Sequence, residues 1–311
     1  MKIAVVGVGG VGGYLGGKLA ANGSDVVFLV KSSYLDIFRR KGLHIVGAEN
    51  VTVFPVHVSD EARDVGVVDI VLLCVKLYDL QAVSMAILPL IGQKTSVVTL
   101  QNGVESPSIV GAIVGHEKII PGAAYFPANI NTPGEIEFKG AIQGKPLVEF
   151  ALLSPLCNSS AISLLDEFRD AGVSAQLSLD ADRMLWEKFC WILGVSSVTA
   201  ATRQDISVVR SDNDMRALFA ASVHECAEVG RASGVDLANS IELDLMNLLD
   251  ANPGNGKSSL LVDLEKSRPL ELEGLAGVVH RLGLKHRIPT PVTSTVYASL
   301  KAFVSGNVAL G

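Results

Sequence analysis

Lys2-Ile3-Ala4-Val5-Val6-Gly7-Val8-Gly9-Gly10-Val11-Gly12 is the stretch on which the fold turns. Ile3–Val6 is a compact, unbroken apolar run, as expected of a strand covered on both faces in a parallel sheet. Gly7, Gly9 and Gly12 then fit the G-x-G-x-x-G spacing, and a helical segment runs from Gly12 to about Asn22. Those glycines say little alone; a strand before and a helix after are the context they require. Gly7 permits the tight turn, Gly9 lets a pyrophosphate approach the backbone, and Gly12 lets helix and strand pack closely. The helix start adds unpaired N–H groups and a positive dipole end. A tight strand-to-helix turn without a ligand has the same spacing and stands as the alternative.

Outward from this turn, Val26–Val30, Ile70–Val75 and Ser96–Leu100 repeat the compact strand pattern, with room for crossover helices between them. Leu43–Gly47 and Val51–Val58 read as a small antiparallel insert. Residues Ile119 to Phe150 are strand-like and broken by Pro121, Pro127 and Pro133. From about residue 179 the period changes. Met184–Ala201, Asp214–Ala232 and Leu272–Leu282 place apolar residues three and four apart, and Asn252-Pro253-Gly254-Asn255-Gly256 is a loop. The expected architecture is an α/β dinucleotide-binding Rossmann domain over residues 1–178 and an all-α domain over 179–311.

Composition narrows the function. Of 311 residues, 49% are hydrophobic and 19% charged, which excludes disorder. A net charge of −6 argues against broad nucleic-acid binding. Cys74, Cys157, Cys190 and Cys226 lie far apart and the six histidines are scattered, so neither a disulfide framework nor a metal site is expected. The N-terminus enters a strand with no signal-peptide pattern, and no apolar run reaches the roughly 20 residues of a membrane span. A soluble cytoplasmic protein is the expectation.

Three positions carry chemistry. The second strand ends in Val30-Lys31-Ser32-Ser33, with no acid to hold a ribose 2′-hydroxyl. Lys31 suits a 2′-phosphate, so NADP is expected over NAD; Lys76, at the end of Asp69–Val75, reaches toward the same phosphates, unless either is a solvated loop charge. Lys188 has Met184, Leu185, Trp191 and Ile192 three and four residues away, all apolar. Helical spacing puts them on its face, away from Arg183 and Glu187. Desolvation lowers an ammonium's pKa, and such a lysine is fit to protonate a carbonyl oxygen; a snorkelling lysine at a domain edge is the alternative. Glu271 follows Pro269 and, on a helix, shares a face with Leu275, Val278 and Leu282. It reads either as an active-site acid or as a helix-start carboxylate. Ser258 and Ser259 read as helix caps.

The whole chain resembles the ketopantoate reductases, also called 2-dehydropantoate 2-reductases. The resemblance lies in the opening glycine turn, Val75-Lys76, Gln101-Asn102-Gly103, Leu185-Trp186-Glu187-Lys188, and Ser258-Ser259-Leu260-Leu261-Val262-Asp263 followed by Leu270-Glu271. It implies a Rossmann domain joined to a helical domain like that of 6-phosphogluconate dehydrogenases, and NADPH-dependent reduction of a small 2-keto acid. By the same resemblance Lys188 is the catalytic proton donor and Glu271 the active-site acid. Asn102 contacts cofactor and substrate, Ser259 binds the substrate carboxylate, and Lys31 and Lys76 hold the adenosine phosphate. Typical members carry asparagine four and eight residues after the lysine and at a third substrate-side position; here these are Ile192, Ser196 and Gly256. The stripe of Lys188, Ile192 and Ser196 is therefore expected to give a less polar substrate wall. A β-hydroxyacid or 6-phosphogluconate-type dehydrogenase and a non-catalytic NADPH sensor are the competing readings. A homodimer is left open.

Overall fold

A computed structural model describes residues 1–251 and 254–306; Asn252 and Pro253 of the expected loop, and residues 307–311 of the expected helical domain, lie outside it. The strands are β1 (Lys2–Val6), β2 (Asp25–Leu29), β3 (Leu43–Gly47), β4 (Val51–Val53), β5 (His57–Ser59), β6 (Ile70–Leu73), β7 (Ser96–Thr99), β8 (Ile119–Ala124), β9 (Ala128–Thr132), β10 (Glu135–Phe138), β11 (Val148–Ala151) and β12 (Ala175–Ser178). The helices are α1 (Gly10–Ala21), α2 (Ser32–Lys41), α3 (Ala62–Val65), α4 (Leu80–Ala86), α5 (Ser106–Val114), α6 (Pro155–Asp170), α7 (Ala181–Thr202), α8 (Ile206–Ser211), α9 (Asn213–Ala232), α10 (Ile241–Ala251), α11 (Ser259–Glu265), α12 (Ala276–His286) and α13 (Pro291–Leu300).

Contacts divide the chain into two units: Met1–Gln101 with Glu105–Met184, and Asn102–Val104 with Leu185–Gly311. The composition change near residue 179 marks where strands give way to helices. The contact division falls a few residues later, inside α7, because the first turn of that helix packs with the sheet unit. The segment Asn102–Val104 belongs to the helical unit although it follows β7.

In the first unit an eight-stranded sheet runs β12-β11-β8-β7-β6-β1-β2-β5. From β5 to β8 every pair is parallel, and β11 turns the edge antiparallel to β8. The order 5-2-1-6-7-8 is that of a dinucleotide-binding fold, with β1 at the point where the winding reverses. The last four residues of β1, Ile3–Val6, are buried, as a doubly covered strand requires.

A second sheet, β4-β3-β10-β9, lies on the other side of α1. It corrects the expected insert. β3 and β4 do pair antiparallel, but the run Val51–Val58 breaks at Phe54–Val56, and β5 leaves to join β2 in the large sheet. β3 pairs in parallel with β10, from a segment about ninety residues later. Apolar alternation shows that each piece is extended; it does not say which sheet takes it. Two glycines let α1 approach this sheet: a Cβ on Gly10 would lie 2.1 Å from the Ala128 carbonyl oxygen, and one on Gly13 2.6 Å from Ile136 Cγ1. Tyr14 stacks on Phe138 beside them, with ring centroids 4.2 Å apart.

The second unit is a helical core around α7, α9, α10, α12 and α13. α7 is buried on most sides, with Trp186, Phe189, Cys190 and Leu193 inside. Gly194 admits α9: a Cβ there would meet Phe219 and Val223 at 2.8 Å. Among the described residues no helix is long and apolar enough to cross a membrane.

Candidate active site

In the first unit the glycine turn sits at the C-terminal end of β1. Gly7 has φ of +91°, and a Cβ there would lie 2.8 Å from the backbone nitrogen of Val75. A Cβ on Gly12 would lie 2.3 Å from the Gly7 carbonyl oxygen and 3.0 Å from Cys74 Cβ. Both are fixed by packing. Gly9 differs, since a Cβ on it would meet only Ile130 Cδ1, at 4.0 Å. Gly9 is also the N-cap of α1 and supplies no side-chain cap. The start of α1 is thus bare backbone with open space beside it, which fits a bound pyrophosphate.

Lys31 and Lys76 flank this turn on the two strands adjoining β1. Lys31 follows β2 as the exposed N-cap residue of α2, and Lys76 is half-buried after β6. Gln101, named in the sequence only as part of a motif, holds the second of these loops. Its Nε2 donates to the carbonyls of Leu73 at 2.8 Å and Val75 at 3.3 Å.

In the second unit Lys188 is 5% exposed on α7 and Glu271 is 8% exposed. Burial pushes the lysine down to about 8, and the charge of Glu271, which favours the ammonium, partly offsets this. Glu271 does not stand on the expected helix. The backbone takes a single 3₁₀ turn at Leu272–Gly274, Leu275 breaks it at φ −112° and ψ −99°, and α12 begins only at Ala276. Glu271 precedes that turn, and the preceding Leu270 is tied by its N–H to the Val304 carbonyl at 3.0 Å. The acid is therefore buried in a loop held beside Val304, and the shared-face argument for it does not hold. Half-buried Asn102 belongs to this unit too, and a Cβ on neighbouring Gly103 would lie 2.8 Å from the Gly274 carbonyl oxygen. Asn102 thus enters the unit beside the turn that follows Glu271.

Ile192 is half-buried and Ser196 is 3% exposed, both on the Lys188 stripe of α7. The serine pair divides. Ser258 is buried and caps α11, its Oγ accepting from Leu261 N–H at 3.1 Å, while Ser259 is exposed as the first residue of that helix. Gly256 is exposed, and its carbonyl accepts from Ile206 N–H at 3.1 Å. The scattered histidines do yield one gathering: His224, Glu228 and Glu242 bring ligand-type atoms within 4.8 Å of one another. Arg231 already pairs with both carboxylates, with Nη1 at 2.8 Å from Glu228 and 3.1 Å from Glu242.

A sheet of this strand order followed by a helical unit of this kind defines a class of two-unit proteins built around a dinucleotide-binding fold. The chain belongs to the ketopantoate reductase PanE/ApbA family, whose model matches residues 3–147 and whose C-terminal model matches residues 180–304. The family reduces 2-keto acids with a nicotinamide cofactor. A 2-dehydropantoate 2-reductase of Mesorhizobium japonicum is 29% identical over 97% of each chain. The solved 2-dehydropantoate 2-reductase from Geobacter metallireducens GS-15 superposes with a TM-score of 0.88 at 27% identity, covering 97% of this chain and 99% of that one. D-mandelate dehydrogenase, solved with NADH and anilino(oxo)acetate, has the same fold, with a TM-score of 0.88 at 21% identity over 97% of this chain and 98% of its own.

Proposed function

We propose that this chain is an NADPH-dependent 2-keto acid reductase whose substrate is ketopantoate or a 2-keto acid of similar size with a more apolar side chain. The observation that carries the reading is a buried lysine, brought down to about 8, with a buried carboxylate acting on it. A bound nicotinamide supplies the hydride. Lys188 supplies the proton to the carbonyl oxygen, as a general acid whose pKa lies near the working pH. Glu271 keeps that proton on the lysine at neutral pH. Gly7, Gly9 and Gly12 shape the turn that takes the pyrophosphate. Lys31 and Lys76 hold the 2′-phosphate end, which favours NADPH because an acid at the end of β2 is missing. Asn102 and Ser259 orient the keto acid, Ser259 at its carboxylate. Ile192 and Ser196 form its less polar wall.

Residence in the cytoplasm belongs to the same reading, supported by four free cysteines, which suit a reducing compartment. The test is a panel of 2-keto acids (ketopantoate, 2-ketoisovalerate and phenylglyoxylate among them) followed by NADPH consumption. Turnover of at least one is expected. Tight NADPH binding with no turnover of any would favour a cofactor sensor.

A further inference from the structure

Thr199 stands eleven residues after Lys188 and so three turns along the same stripe of α7. It is fully buried and faces Ser258, which is 9% exposed, with 2.6 Å between their hydroxyl oxygens. Thr199 Oγ1 also lies 2.7 Å from the Val195 carbonyl, and Ser258 Oγ accepts from Leu261 N–H at 3.1 Å. Each hydroxyl has one proton to give. The Val195 carbonyl only accepts, so Thr199 donates to it, and Ser258 must then donate to Thr199. The order runs Leu261 N–H, Ser258, Thr199, Val195 carbonyl, and every hydroxyl proton has an acceptor.

Other hydroxyls of this chain bond back to their own helix four residues earlier, as Thr202, Ser222 and Thr295 do. Thr199 does this and also accepts a hydrogen bond from another element. The residues before α11, 254–257, are exposed. The Gly256 carbonyl ties that loop to α8, and the Lys257–Glu265 ion pair stays at the surface. The Thr199–Ser258 bond thus joins the start of α11 directly to the lysine helix.

We propose that Thr199 and Ser258 are positioning residues for the keto acid, clamping the first turn of α11 so that Ser259 projects in a fixed register with Lys188. This rests on the reading of Ser259 as a substrate-binding residue of the reductase. Thr199→Val keeps the shape and removes the hydroxyl. It is expected to raise KM for the keto acid about tenfold, the order of one lost buried hydrogen bond, with kcat and the NADPH Kd little changed. Thr199→Ser should restore the parent KM. In a Ser259→Ala background, Thr199→Val should add nothing further, because the clamp acts through that serine. Ser258→Gly breaks the same bond in a residue well tolerated at an N-cap; it should reproduce the KM rise even where Thr199→Val folds poorly.

An unchanged KM in Ser258→Gly overturns the clamp. So does an equal loss in kcat and cofactor affinity, or effects of Thr199→Val and Ser259→Ala that multiply. A parent that reduces no 2-keto acid fails at the reductase reading and takes the clamp with it. An active parent with a KM rise in Ser259→Ala but none in Ser258→Gly sinks the clamp alone.

Discussion

The glycine turn occupies six consecutive residues, Gly7–Gly12, whereas Lys188 and Glu271 stand more than eighty positions apart on different elements of the second unit. The first is a demand on the backbone. Three of its glycines, Gly7, Gly10 and Gly12, are fixed by atoms 2.1–2.8 Å from where a Cβ would stand. The second is a demand on burial, made of two ionisable side chains that water would otherwise solvate. A backbone demand is written in the sequence at the place where it applies. A burial demand is divided between segments that only the fold brings together, and each half is ambiguous alone.

The largest effect that would break this comparison is at Lys188. Lys188→Ala should lower kcat by about 10²–10⁴, the usual contribution of general acid catalysis, while NADPH affinity survives. Residual activity within threefold of the parent would mean that the lysine is buried for packing alone. The pH profile sharpens the same point. Only protonated Lys188 can act as an acid, so kcat/KM should fall as pH rises through about 8. Glu271 favours the ammonium, so Glu271→Gln should move that limb to lower pH. Stability runs the other way. The folded pKa of Lys188 lies below that of the unfolded chain, near 10.4. Between about 8 and 10 the unfolded state binds more protons, and this residue's contribution to stability rises with pH.

A smaller effect separates the glycines. Gly12→Ala forces a methyl to within 2.3 Å of the Gly7 carbonyl oxygen. It should cost about 1–3 kcal/mol of stability, as overpacking does, read as a lower midpoint in urea unfolding. Gly9→Ala enters open space and should leave that midpoint nearly unchanged while weakening NADPH about tenfold or more, because the methyl occupies the approach to the helix start. Equal stability losses in the two variants would show that the turn is structural throughout. Lys31→Ala comes next. Hydrogen bonds to charged groups contribute about 1.5–3 kcal/mol, so kcat/KM with NADPH should fall roughly tenfold or more and with NADH hardly at all. The same loss with both cofactors would move Lys31 off the 2′-phosphate.

Legibility follows the same division. β1, the turn, α1 and the parallel strands could be read because each is encoded within about ten residues. Lys188 could be read because its apolar neighbours share its helix. The helical face expected to join Glu271 to Leu275, Val278 and Leu282 does not form, since the break at Leu275 lies in backbone angles that a run of leucines and glutamates does not announce. The division of Val51–Val58 between two sheets depends on partners far along the chain. Glu225 shows the limit most plainly. Its carboxylate accepts from Val292 N–H at 2.8 Å and Thr293 N–H at 2.7 Å, capping α13 from a helix more than sixty residues earlier. Nothing near Glu225 in the sequence marks it as different from the solvated acids of the same helix.

The smallest expected effect concerns the substrate wall, where the two kinds of demand meet. Ile192 and Ser196 follow Lys188 by one and two turns of α7. A site built to hydrogen-bond a substrate hydroxyl discriminates strongly, because an unpaired buried polar group is costly; an apolar wall discriminates weakly, by roughly 1–3 kcal/mol per methylene. Ketopantoate carries a hydroxyl at its far end, so the parent should handle a 2-keto acid with an apolar side chain at least as well. Ser196 is 3% exposed, and an asparagine there would have to enter packed space at a cost in stability. Ile192 is half-buried, and an asparagine there is no larger than the isoleucine it replaces. Ile192→Asn is therefore the informative change. It should shift the ratio of kcat/KM for ketopantoate over 2-ketoisovalerate several-fold toward ketopantoate, with Ser196→Asn adding to it only where the helix still folds. A parent that already prefers ketopantoate a hundredfold would place the hydroxyl-binding groups elsewhere. The lysine stripe would then hold the reacting carbonyl without selecting what is attached to it.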